Sequence, residues 1–290
     1  MDVAGMSPEA ATTAAGPPEL GDPPSARTRR GRGRRRGQRL ASSVAPPLVA
    51  FAVLVVAWEL FVQLGHVRAF LLPAPSDVLQ ELADHPGVWW HDALVTGKEA
   101  LLGFVVAFLV ALVLAVLMVH VRPLERALLP VVTMVQVTPI IALAPPLVVW
   151  LGFGLTPKVV MAALITFIPF TINAITGLRA VDPDSLEVMR SVDASRREVF
   201  TKLRLPHALP YLLAAARVCV GLALIGALVA EWSGSSEGLG YTMVRAQRNL
   251  DAAKVWAAVV VLTLLGLLGT LLVTFAERRM LRWHPSTARR

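Results

Sequence analysis

The sequence predicts an all-α integral membrane protein with six transmembrane helices, and three observations lead there. Of 290 residues, 55% are hydrophobic and only 17% charged, with a mean hydropathy of +0.61; soluble chains carry about 25% charged residues. From residue 44 onward the chain holds six apolar runs, each long enough for a bilayer core that takes about 20 helical residues to cross. The runs are continuous rather than alternating, so helices, not barrel strands, are the spanning form.

Residues 1–43 differ in kind. They are rich in Ala, Pro, Gly and Ser, hold few large apolar side chains, and are expected to form a disordered basic cytoplasmic tail. Eight arginines lie between Arg27 and Arg39. Such a run suits nucleic acid, anionic lipid or a topology anchor, and the apolar stretch that follows at once favours the anchor. A cleaved signal peptide is not expected, because the apolar stretch starts late, runs long and lacks an A-x-A site.

The spans are expected at about 45–64, 98–119, 126–150, 158–178, 207–231 and 254–276. Together they make a transmembrane domain over 44–284, with 285–290 as a C-terminal tail. The third run is broken by Pro130, Pro139, Pro145 and Pro146. With the N-terminus inside, 21 of the 28 Lys and Arg residues fall on cytoplasmic pieces and three (Arg68, Arg245, Arg248) fall outside, as the positive-inside rule requires. Trp89, Trp90, Trp150, Trp232 and Trp256 then map to the outer interface. Both termini are expected in the cytoplasm.

One inside loop, residues 179–206, is longer than a simple connection needs. Asp182 suits an N-cap, with Pro183 at the first helical position. Ser195 and Glu198 form an S-x-x-E capping box that starts a second short helix. Pro206 and Pro210 mark the start of span five. Such a charged elbow tied to two membrane helices is either a lever or an amphipathic loop lying on headgroups.

The spacing within this loop resembles the EAA signature of ABC-transporter permeases. Glu187-Val188-Met189, three residues, Asp193, nine residues, then Leu203-Arg204-Leu205-Pro206 keep the register of E-A-A, G and I-x-L-P. Glu187, Leu205 and Pro206 match; Val188 and Met189 replace alanines, and Asp193 replaces the glycine that lets the elbow turn. Asp is among the few residues that tolerate a left-handed turn. The resemblance extends over roughly 45–284 and is similar to the nitrate/sulfonate/taurine-type branch. It is carried by LLPAPSDVL, QVTPIIALAPPLVVWLGFG, FIPFTINAITGLRAVDP and ERRMLRWH. AEWSGSSEGLGYTM looks nearer to the members for thiamine-pyrimidine precursors or riboflavin.

The resemblance implies a type I ABC importer permease fold and a transport subunit that is not itself an enzyme. It implies a likeness to the multi-pass permeases of a prokaryotic plasma (inner) membrane. It also implies three partners: a second permease copy in a homodimer, an extracytoplasmic solute-binding protein, and a separate ATPase subunit that holds the ATP. No G-x-x-x-x-G-K-S/T loop occurs; at the nearest approach, Gly97-Lys98, Glu99 follows and Asp92 stands where the first glycine belongs. No cofactor or metal is expected on this chain: its single Cys and six scattered His form no ligand pattern.

The implied ATPase-coupling residues are Glu187, Val188, Met189, Arg190, Asp193, Ala194, Ser195, Val199, Leu205 and Pro206. Candidates for the translocation path are Gln136, Thr138, Pro139, Arg217, Glu231 and Trp232. Gln136 and Thr138 either line a wet cavity or belong to a kinked helix. Arg217 is an intramembrane charge that is either functional or snorkelling to the cytoplasmic face. Glu231 is either a gate contact or a solvated helix end. Cys219 reads as a packing residue. Residues 233–249 form a re-entrant segment or a surface loop. Small residues at spacing four (Ala223/Ala227, Gly226/Ala230) permit close helix approach, to a neighbour in the same chain or a twin.

Three rivals stand against this reading. A secondary transporter or channel independent of an ATPase would want acidic pairs or a repeat within the membrane. A membrane-embedded hydrolase would want G-x-S-x-G or clustered His and Asp. A nucleic-acid role would rest on the tail alone.

Overall fold

The computed structural model describes residues 32–281, with side chains from residue 45 onward. Among the described residues the elements are helical throughout. Helix α1 is Arg32–Leu64, α2 Pro75–Asp84, α3 Pro86–His120 and α4 Arg122–Val137. A 3-10 turn over Ile140–Leu143 leads into α5, Ala144–Leu151, and α6 follows over Leu155–Arg179. Helix α7 (Pro183–Ser191) and α8 (Arg196–Glu198) form the elbow, and a π-helical turn over Val199–Arg204 joins α8 to α9, Leu205–Gly234. Helix α10 is Leu239–Arg248 and α11 Ala252–Met280.

Among the described residues five helices are long and apolar enough to span a bilayer, and α4 with the 140–151 segment, bent by 87°, is either a broken sixth span or a re-entrant pair. The bend falls where the prolines predict it. Thr138 is extended, Pro139 follows, and neither can continue the α4 hydrogen-bond ladder.

Two regions differ from the sequence expectation. Helix α1 begins at Arg32, so 32–43 are helical rather than a disordered tail; arginine is a good helix former and extends a helix that the apolar run anchors. Residues 1–31 and the 285–290 tail lie outside the described residues. The connection 65–97 holds a full helix, α2, and the first twelve residues of α3. Helix α2 is short and amphipathic rather than continuously apolar, so it does not stand out as a span.

The stretch of α1 up to Val55 is one unit, and everything from Val56 onward is a second. In the first, Leu48, Phe51, Val53 and Leu54 are all more than 60% exposed, as befits a helix solvated by lipid.

The second unit is built on α3, α6 and α9. Their shared seam is made of small residues. A methyl group on Gly226 of α9 would sit 2.5 Å from the Cα of Ala162 on α6, and Gly103 of α3 meets Ala162 from the other side. The neighbour of the small-residue face is therefore in the same chain. Without a hydrophobic drive between helices in lipid, such backbone approach is what holds a bundle together. Lower in the seam Phe170, fully buried, meets the edges of Phe104 and Phe108 at 5.1 and 5.4 Å. Cys219 fills the same cluster. Helix α11 is mostly exposed and packs chiefly through Ala257 and Ala258, against Val78, Trp89 and Leu239.

Candidate functional site

The elbow is stitched by local hydrogen bonds. Asp182 caps α7, its Oδ1 accepting from the Asp184 N–H at 3.2 Å, and Pro183 takes the first helical position. Helix α7 ends in a Schellman motif: the Ala194 N–H donates to the Met189 carbonyl and the Asp193 N–H to the Arg190 carbonyl, both at 3.0 Å. That motif needs a left-handed residue, and Asp193 supplies it with φ +50°. Ser195 and Glu198 form the reciprocal capping box of the next helix, with the Ser195 N–H reaching Glu198 Oε2 at 3.0 Å. Lys202 pairs with Glu198 at 2.9 Å.

The second elbow helix is not separate from span five, as the sequence suggested. Helix α8, the π turn and α9 run unbroken as one helix of 39 residues, Arg196–Gly234. Pro206 sits in the first turn of α9 and Pro210 is taken up within the helix, so neither interrupts it. At its base Phe200 packs against the end of α6 and edge-on to His120 at 5.9 Å, and Arg179 pairs with Glu125 of α4.

Of the ten coupling candidates, Val188 stands out at 63% exposed, and Val192, which the sequence reading did not single out, is 67% exposed one turn on. Glu187, Arg190, Asp193 and Ser195 are exposed around them, while Met189, Ala194, Val199, Leu205 and Pro206 are half-buried. Val188 and Val192 thus form a small exposed apolar pair at the end of a capped helix.

The six path candidates fall in three places. Gln136, Thr138 and Pro139 are exposed at the 87° bend, where the Thr138 hydroxyl donates to the Met134 carbonyl at 2.9 Å. Arg217 forms an ion pair with Glu277 of α11, so its charge is met within the chain. Trp232, about half exposed, lines a cavity with Tyr241 and Arg245.

Glu231 is not a solvated helix end. It is 1% exposed and belongs to a buried polar cluster at the end of α3, α6 and α9 remote from the elbow. Asp92, Thr96 and Glu99 recur at spacings of four and three on one face of α3 and are all buried. Thr96 donates to Glu231 Oε1 at 2.6 Å and accepts from the Leu239 N–H at 2.9 Å. Glu231 Oε2 takes the Gly240 N–H. Asp92 accepts from the Gly238 N–H at 3.2 Å and the Thr242 hydroxyl at 2.6 Å. Gly238 lies at φ +104° with the Glu231 carboxylate where a Cβ would go, so only glycine fits. The start of α10 is thus clamped to two membrane helices, and the 233–249 stretch holds a short packed helix, Leu239–Arg248.

Lys158 of α6 completes the cluster, with Nζ 2.6 Å from Glu99 Oε1 and both side chains nearly inaccessible at 6% and 3%. The sequence analysis gives none of Asp92, Thr96, Glu99 and Lys158 a place in a site. The signal was there: opposite charges close to the same end of two apolar runs.

Comparison with known proteins gives the family and the fold. Residues 103–282 match the family of binding-protein-dependent transport system inner membrane components. A probable ABC transporter permease of Haemophilus influenzae is 36% identical over 76% of this chain and 90% of its own length. The formylaminopyrimidine transport permease ThiX of Halalkalibacterium halodurans is 33% identical, covering 82% and 95%. The riboflavin transport system permease RibX of Chloroflexus aurantiacus is 35% identical, covering 82% and 90%. The same fold occurs in an inward-facing methionine ABC transporter MetNI (TM-score 0.53, 22% identity, 67% of this chain and 93% of the other). It occurs again in an amino acid ABC transporter (TM-score 0.58, 16% identity, 69% and 97%). The chain belongs to the binding-protein-dependent transport system inner membrane components, and is the multi-pass permease component of an ABC importer.

Proposed function

We propose that this permease works as a homodimer that passes a small organic solute from an extracytoplasmic binding protein to the cytoplasm, driven by a separate ATPase that grips the 183–204 elbow. The observation that carries this reading is the elbow itself. Val188 and Val192 form an exposed apolar pair on a capped helix, and the next turn leads without a break into a 39-residue membrane helix. Movement of the ATPase would tilt that helix as a lever. Two facing states need differ by only a few kcal/mol for a partner to switch them.

The exposed apolar surface around the α4–α5 bend, with Met134, Val137, Val149 and Trp150 all more than 60% exposed, suits a second copy of the chain, with Gln136, Thr138 and Pro139 facing the path between them. Relatives named for formylaminopyrimidine, riboflavin and aliphatic sulfonates support a small organic solute, and the two of these three at higher identity are named for nitrogen heterocycles. The charge distribution supports both termini in the cytoplasm.

The test is Ala194→Glu, which puts a charge on the half-buried side of the elbow turn. Reconstituted with its ATPase and binding protein, the variant should keep its thermal stability and lose substrate-stimulated ATP hydrolysis. Unaltered stimulation would sink the coupling role. Uptake that follows an ion gradient with no ATPase present would establish the secondary-transporter alternative instead.

A further inference from the structure

The buried cluster at the end of the bundle remote from the elbow leaves one acceptor over. Asp92 and Glu231 each accept hydrogen bonds on both carboxylate oxygens. Glu99 gives Oε1 to Lys158, while its Oε2 is buried and receives no hydrogen bond from any donor among the described residues. What stands against Glu99 besides Lys158 is the Glu231 carboxyl. Glu99 is 2% exposed and Glu231 1%, so neither is solvated from outside.

Two carboxylates cannot hydrogen-bond to each other, because each has only acceptors. Side by side and away from water they repel, and one proton held between them removes the repulsion. The surrounding charges agree. Asp92 of α3 and Glu237, just before α10, add negative charge, and Lys158 of α6 is the only buried cation among the described residues. Glu237 is met by His91 at 3.1 Å. Lys98 of α3 and the arginines of α10, Arg245 and Arg248, are exposed. Lys158 answers the negative charge of Glu99, which leaves Glu231 to carry the proton. A metal ion is a poor alternative, since no group of three His, Cys, Asp or Glu side chains among the described residues is placed to hold one.

We propose that Glu231 and Glu99 form a buried proton-binding site, in which the protonated Glu231 carboxyl donates to Glu99 Oε2 and bolts α9 to α3. The same Glu231 carboxyl takes the Gly240 N–H, and Thr96, which donates to it, takes the Leu239 N–H. The bolt therefore also governs the first turn of α10. When the pH rises and the proton leaves, two carboxylates face each other in a closed space. Helices α3 and α9 are then pushed apart and the start of α10 loosens. The fold thus carries a pH-sensitive latch, closed in neutral solution and open in alkali.

Infrared spectroscopy of the full chain in lipid nanodiscs at neutral pH tests the site. Exposed carboxyls are then ionised, and a protonated one shows its own carbonyl band. The wild type should show such a band, heavy-carbon labelling of glutamate should move it, and Glu231→Gln should abolish it. No band, a band that ignores the glutamate label, or a band kept in Glu231→Gln would overturn the proposal. The label serves even where the variant fails to fold. Hydrogen exchange at Leu239 and Gly240, corrected for the intrinsic pH dependence of amide exchange, reads the latch. Protection in the wild type should fall at least about tenfold from neutral to alkaline pH. Glu231→Gln offers Glu99 a permanent N–H donor and should keep its protection throughout. Equal loss in the two proteins would show that this proton does not hold α10. Stabilisation by sodium chloride over choline chloride, with no carbonyl band, would make the occupant a metal ion and overturn the proposal.

Discussion

The two ends of α9 are built by opposite means. At the elbow every hydrogen bond that shapes the turn joins residues no more than five apart, from Asp182 with Asp184 to Ser195 with Glu198. The surface it presents is exposed. At the far end the cluster joins Thr96 to Glu231, Glu99 to Lys158 and Asp92 to Thr242, residues 59 to 150 apart in sequence, and nothing in its heart is exposed. The elbow is shaped by its own residues and is therefore capped from within. A clamp between helices has meaning only once the helices have met.

That contrast is broken most severely at Lys158. Replacing it with methionine strands Glu99 in a buried site, and losing one partner of a buried ion pair costs about 3–5 kcal/mol. We expect Lys158→Met to lose most of its folded, monodisperse protein in detergent, and Lys158→Met with Glu99→Gln to regain much of it. Equal loss in the single and double variants would show that the pair does not hold the cluster. Next comes Thr96→Val, which removes the donor to Glu231 and the acceptor for the Leu239 N–H while keeping the shape. Thermal stability should fall by about 1–3 kcal/mol, and hydrogen exchange should rise at Leu239. Exchange unchanged there would mean that α10 is held by packing alone.

The smallest effect sharpens the comparison from the elbow side. Asp193 holds a left-handed conformation that glycine adopts freely, so Asp193→Gly should leave the fold intact and shift stability by no more than about 0.5–1 kcal/mol. ATPase stimulation should be preserved. Loss of stimulation in Asp193→Gly would mean that the aspartate side chain itself, and not only the turn, meets the partner.

Legibility from sequence follows the same divide. The Asp182 cap, the Ser195–Glu198 box and the tolerance of Asp193 for a left-handed turn could all be read, because each depends on residues within a turn or two. The long apolar runs could be read for the same reason, and the prolines of the third run announced its bend. What stayed hidden depends on pairing across the bundle. Arg217 read as a lone intramembrane charge because Glu277 lies 60 residues away. Glu231 read as a helix end because Thr96 and Gly240 come from other elements. Asp92, Thr96 and Glu99 share a helix face that the sequence does display, but their meaning waits on Lys158. The unbroken passage from α8 into α9 was missed because two prolines suggested a stop where the helix in fact begins its next segment.

At about 1.5 Å per residue, the helix Arg196–Gly234 is about 58 Å long, well beyond a hydrocarbon core of about 30 Å. Such a shaft fixes angular phase as well as distance. Adding one residue between the elbow and Glu231 would turn one end by about 100° relative to the other, aiming Glu231 away from Thr96 or swinging the elbow valines, Val188 and Val192, to another side. Sequence change in this stretch can therefore proceed by substitution, while a single insertion or deletion would leave two well-formed ends facing in incompatible directions.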